Sequence, residues 1–142
     1  MNHDDFTWIL AECADPERPF LIRYIESDKG LDRSIYKSRL NVFWTLRTPT
    51  KTGLPSEDDN DETKVFENRL VQAVEPGNHS ILVMVLTGRG QKEYVWQTTD
   101  PQLFLKSLTE MPQEEERYPI QIQHNEDETW NYYDRVLADV DR

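Results

Sequence analysis

The residues with most chemical promise are Arg23, Glu93 and the aromatics Trp44, Tyr94 and Trp96. Arg23 shares a strand face with Leu21 and Ile25, which predicts partial burial. A buried guanidinium needs a carboxylate or carbonyl partner. Glu93 shares a face with Val95 and has the same need. An Arg23–Glu93 ion pair satisfies both structurally. Alternatively, Arg23, Trp44, Glu93 and Trp96 line an aromatic cleft with one polar spot, an arrangement suited to a small ligand. The alternation of a regular strand sends Glu93 and Trp96 to opposite faces, so both serve one pocket only near a bulge or a strand end.

Other candidates reduce to structural roles. The run Glu57-Asp58-Asp59-Asn60-Asp61-Glu62 has calcium-binding residue types, but it lacks the glycine and distal glutamate of a calcium loop. Acids there suit a helix N-terminus, where they complement the macrodipole. His3, His79 and His124 have no partner at ligand spacing, and Cys13 makes no recognisable nucleophile pair with them. No metal, cofactor or catalytic residue is therefore expected, and nothing names a reaction. Gly88-Arg89-Gly90 could cradle an anion on backbone amides. It lies between two strands, however, where a hairpin turn needs glycine for its own geometry.

The elements that must position these residues follow from periodicity. Thr7 to Ala11 and Phe20 to Glu26 read as strands, separated by the turn Asp15 to Pro19. Arg39 to Arg47 is a strand with Leu40, Val42, Trp44 and Leu46 on one face. After the loop Thr48 to Pro55, the positions Phe66, Leu70, Ala73 and Val74 mark a helix that stops at Pro76-Gly77. Ser80 to Thr87 and Gln91 to Thr98 form a hairpin. Thr99-Asp100-Pro101 starts a second helix, with Phe104, Leu108 and Met111 as its stripe. Pro112 to Glu116 is a loop and Tyr118 to His124 a strand. A last helix starts near Asp127, with Trp130, Tyr133, Leu137 and Val140 apolar.

From residue 39 to about 124 the order is β-α-β-β-α-β, which predicts an α+β fold with a ferredoxin-like core. An N-terminal strand pair and a C-terminal helix are added, all within one domain of 1–142. The run Ile81 to Leu86 is apolar on both faces, which is unexpected for an edge strand. The N-terminal pair is therefore expected to extend the sheet beside it, and the C-terminal helix to cover part of its second face.

Composition bounds the function. The net charge is -11, with 16 Lys and Arg against 27 Asp and Glu. Such a surface repels phosphate backbones and anionic lipid, so neither nucleic acid nor membrane is an expected partner. A protein with a basic surface is. The N-terminus has no basic and apolar signal-peptide pattern, no run approaches the roughly 20 residues of a bilayer span, and Cys13 is the single cysteine. These features predict a cytoplasmic protein.

Motifs along nearly the whole chain carry a family resemblance. They are Pro19-Phe20-Leu21-Ile22-Arg23, Gly53-Leu54-Pro55 before the acidic helix, Leu86-Thr87-Gly88 and Tyr94-Val95-Trp96 with Thr99-Asp100-Pro101. Tyr118-Pro119-Ile120 and the closing Trp130 and Tyr133 complete the set. In this order the chain resembles a bacterial domain of unknown function, family 695. The resemblance implies a small cytoplasmic protein without assigned catalytic residues. Some members are similar to the partner domain in fusions with acidic regulators of the ribonuclease E inhibitor B type, which implies regulation at the protein level. A non-enzymatic interaction or regulatory module is therefore expected first. A small-ligand-binding domain using the aromatic cleft is the alternative.

Overall fold

The period-two runs form six strands in the computed structural model, which describes residues 2–13, 19–112, 117–126 and 130–140. They are β1 (Trp8–Cys13), β2 (Phe20–Ile25), β3 (Ser38–Thr45), β4 (Ser80–Gly88), β5 (Gln91–Thr98) and β6 (Ile120–Glu126). The helices are α1 (Glu57–Val74), α2 (Pro101–Glu110) and α3 (Asn131–Val140). The expected turn at 15–19 and loop at 112–116 fall mainly outside the described residues, as does the expected helix start at Asp127.

The strands join in one sheet of order β1-β2-β4-β5-β3-β6, with every pairing antiparallel. This six-strand order differs from that of a four-stranded ferredoxin-like sheet, because the N-terminal hairpin is built in. Strand β2 pairs with β4, placing Arg23 opposite Val85 and Ile22 opposite Leu86. The physical reason is β4 itself. Its residues are all buried, and as an edge strand it would expose both backbone groups and apolar side chains.

Helices α1 and α2 cover one face. Phe66, Leu70, Val74 and Phe104 pack there on Leu40, Val42, Trp44, Tyr94 and Trp96. Trp130 and Tyr133 of the α3 region pack on the other face with Ile22, Val83, Met84, Leu86 and Val95. The register between β4 and β5 shifts from Leu82 opposite Trp96 to Met84 opposite Val95, so Val83 is an extra residue. This bulge reverses the side-chain phase: Leu82 and Val85 serve the α1 face, while Val83 and Met84 serve the α3 face.

Local chemistry sets the helix starts. Ser56 caps α1 by accepting from the Asp59 amide, and Asp100 caps α2 by accepting from Gln102 and Leu103 with Pro101 in the first turn. The acidic run has an inward member. Asp59 is buried and accepts from the amides of Arg47 (3.0 Å) and Thr48 (2.9 Å), tying the end of β3 to the start of α1.

Candidate functional site

The structure separates the four residues expected to line one cleft. Trp44 and Trp96 lie on the α1 face and are fully buried, Trp44 against Phe66 and Tyr118, Trp96 against Phe104. They are core, and no aromatic cleft opens between them. Arg23 is on the same face at its margin. Glu93 points to the opposite face, as strand alternation requires, because the bulge lies in β4 and leaves β5 regular. The expected Arg23–Glu93 ion pair is therefore replaced by two separate arrangements.

Glu93 is satisfied on the α3 face. Its carboxylate accepts from Asn41 Nδ2 (2.6 Å) and from the Tyr132 hydroxyl (2.5 Å). Arg39 Nε donates to Asn41 Oδ1 at 2.8 Å, and its guanidinium lies 4.6 Å from the centre of the Tyr132 ring. Burial and the neighbouring Glu93 carboxylate push the Tyr132 hydroxyl pKa well up. The chain Arg39–Asn41–Glu93–Tyr132 ties α3 to β3 and β5, and its buried acceptor is filled from within.

Arg23 opens on a different feature, a cleft of ≈ 350 Å³ between β1, β2, β4, β5 and α1. Its floor is Leu21, Arg23, Val85, Thr87 and Lys92; Leu10, Pro55, Asn60, Lys64 and Glu67 form the sides. Cross-strand pairing builds the floor, since Thr87 lies opposite both Leu21 and Lys92. Helical spacing builds one wall: Asn60, Lys64 and Glu67 stand at i, i+4 and i+7 on α1.

Three cationic side chains and one carboxylate meet in this cleft. Arg23 forms a two-pronged ion pair with Glu67, at 2.5 and 3.3 Å, and its guanidinium lies 5.6 Å from the Trp8 ring centre. Glu67 is thereby committed to Arg23. Lys92 is only 8% exposed and, among the described residues, makes no hydrogen bond or ion pair. Burial pushes its pKa below the usual 10.5 for lysine; Glu67 opposes the shift, and Arg23 and Lys64 add to it. Lys92 is a partly desolvated cation whose amine still reaches the cleft, and an anion entering there would supply the hydrogen-bonded partner that it lacks.

Sequence reasoning found Arg23 but missed Lys92, Lys64 and Glu67. The signal for Lys92 was present: it shares a strand face with Tyr94 and Trp96, so it is a cation in an inward-facing row. For Lys64 and Glu67 only the fold could show that this side of α1 overhangs the sheet.

Elsewhere, Arg89 and Gly90 form the turn of the β4–β5 hairpin, both with positive φ, as in the turns that join twisted antiparallel strands. Among the described residues, no three His, Cys, Asp or Glu side chains converge to hold a metal ion, and no helix is long and apolar enough to cross a membrane. No curated protein and no solved structure matches the chain. A family model does match, over residues 11–138, and the chain belongs to that family, the family of unknown function DUF695.

Proposed function

We propose that this member of the DUF695 family is a ligand-binding regulatory module of the cytoplasm, and that its cleft beside α1 takes a small oxyanion, a carboxylate or a phosphate. Lys92 carries the reading: a buried cation without a hydrogen-bonded partner, facing a cleft that also holds Arg23 and Lys64. Asn60 and Thr87 add polar groups able to orient an oxyanion. In this reading the chain is one domain, with β3 to β6, α1 and α2 as a ferredoxin-like core. The β1–β2 hairpin supplies the wall that completes the cleft.

Titration with inorganic phosphate and with acetate, followed by amide NMR shifts, tests the proposal. Saturable shifts at Arg23, Lys64, Thr87 and Lys92 are expected, and they should disappear in the variant Arg23→Met/Lys64→Met. Shifts that are absent, or scattered over the surface without saturation, would remove the reading.

A second reading keeps a protein partner with a basic surface. The exposed Glu57, Asp58 and Asp61 at the start of α1 support it, since they form a compact anionic patch. Charge reversal of all three should abolish salt-sensitive capture of such a partner; capture that persists would exclude this patch.

A further inference from the structure

Lys92 differs from the other cations of the cleft in a way that anion binding alone does not require. Arg23 is a half-exposed guanidinium already paired with Glu67, and Lys64 is exposed on α1. Either can hold an oxyanion while fully charged. Lys92 is enclosed between the Thr87 and Trp44 cross-strand neighbours, yet its amine faces the cleft. A residue serving only as an anion clamp would be better as arginine, which keeps its charge when buried and offers a fixed fork of donors. A lysine in an enclosed site beside two other cations is instead the arrangement that frees an amine lone pair.

We propose that Lys92 is a nucleophile that captures the carbonyl carbon of a small keto acid or aldehyde acid as a reversible imine. The inference rests on the oxyanion reading, because Arg23 and Lys64 hold the acid group while Lys92 meets the adjacent carbonyl. The lone pair of the neutral amine forms the carbon–nitrogen bond, and the carbonyl π pair moves to oxygen. A proton passes from nitrogen to that oxygen, giving a carbinolamine. The oxygen then leaves as water with the second amine proton, and the nitrogen lone pair closes the carbon–nitrogen double bond. Nothing is oxidised or reduced, and addition of water reverses the sequence. Glu67 is the carboxylate in the same cleft whose field acts on Lys92, so it favours uptake of a solvent proton by the imine nitrogen to give the positively charged iminium.

The direction of the Lys92 pKa agrees with this role, since a depressed value raises the neutral fraction near neutral pH. Leu10, Leu21 and Val85 supply apolar surface beside the polar groups, which suits a ligand with a short carbon chain.

The test is reductive trapping of the intact protein with glyoxylate and sodium cyanoborohydride, read by intact mass and peptide mapping. Lys92 should be trapped about tenfold faster than the exposed Lys51 and Lys106, reflecting a larger neutral fraction and local concentration by the cleft. Excess inorganic phosphate should slow trapping at Lys92 and leave Lys51 and Lys106 unchanged. In Lys92→Arg, checked for folding by near-UV circular dichroism, the fast adduct should vanish; a fast adduct that persists on another lysine would overturn the assignment to Lys92. If phosphate perturbs the cleft but Lys92 reacts no faster than the exposed lysines, the imine is overturned and the oxyanion site stands. If neither occurs, both fall.

Discussion

Among single residues, the interactions with the strongest consequences are buried carboxylates with several donors. Glu75 follows α1 and is buried; it accepts from the His3 amide, the Leu82 amide and His3 Nδ1, the last at 2.6 Å. The hydrogen bond to Glu75 raises the His3 pKa above 6.5; burial opposes this, and the charges of Glu75, Asp4 and Glu67 reinforce it. A group whose folded pKa is raised contributes stability that is fully present below its unfolded pKa and is lost as pH rises through the folded value. The His3–Glu75 contribution should therefore be complete below about 6.5 and decline above it. His79 has the opposite sign because burial lowers its pKa, so the comparison needs a variant. Urea denaturation over a pH series should show Glu75→Gln losing this decline, with an overall cost of about 2 kcal/mol at acidic pH. An unchanged pH slope in Glu75→Gln would contradict the assignment.

Between elements, the loop before α1 is fitted to the β4–β5 hairpin by two glycines with different constraints. Gly53 has φ +78, and its carbonyl accepts from the Gly90 amide at 2.9 Å. A Cβ at Gly53 would lie 2.9 Å from the Arg89 backbone nitrogen, whereas at Gly90, with φ +81, it would meet nothing within 4 Å. Both Gly→Ala changes incur the left-handed backbone strain, about 1–2 kcal/mol. Gly53→Ala should cost at least about 1 kcal/mol more, because backbone must move to admit the methyl group. Chemical denaturation of the two variants measures the difference, and equal costs would show that the loop is not held against the turn. The same loop ends at Pro55, which lines the cleft, so its fit to the hairpin also shapes the site.

At the scale of the whole molecule, one sheet separates two apolar cores. Phe66 belongs to the core under α1 and α2; Tyr133 belongs to the core under α3, where its hydroxyl donates to the Ile25 carbonyl. Phe66→Leu and Tyr133→Phe should each cost about 1–2 kcal/mol, through lost packing and a lost hydrogen bond respectively. They share no contact across the sheet, so the double variant should be additive within about 0.5 kcal/mol in equilibrium denaturation. A larger coupling would mean that the sheet transmits strain between its faces, and with it that α3 and the cleft are energetically linked.

Local pattern in the sequence determined the strands, a helix N-terminus at the acidic run Glu57 to Glu62, the helix start at Asp100, and the hairpin turn at Arg89-Gly90. These depend on side-chain period, capping and backbone preference over a few neighbours. The two-faced apolar strand also required that β4 be interior and covered, as the structure has it. Only the tertiary structure decided the rest. The Val83 bulge sets which β4 residues face which core, and no local period announces a one-residue insertion. The partner of Arg23 is Glu67, from a helix 44 residues away in sequence, and Glu93 went to Asn41 and Tyr132. Burial and pairing are properties of what folds on top of a strand. Trp44 and Trp96 therefore became core, and Lys92, on the same inward-facing row of β5, became the buried cation of the cleft because α1 overhangs it.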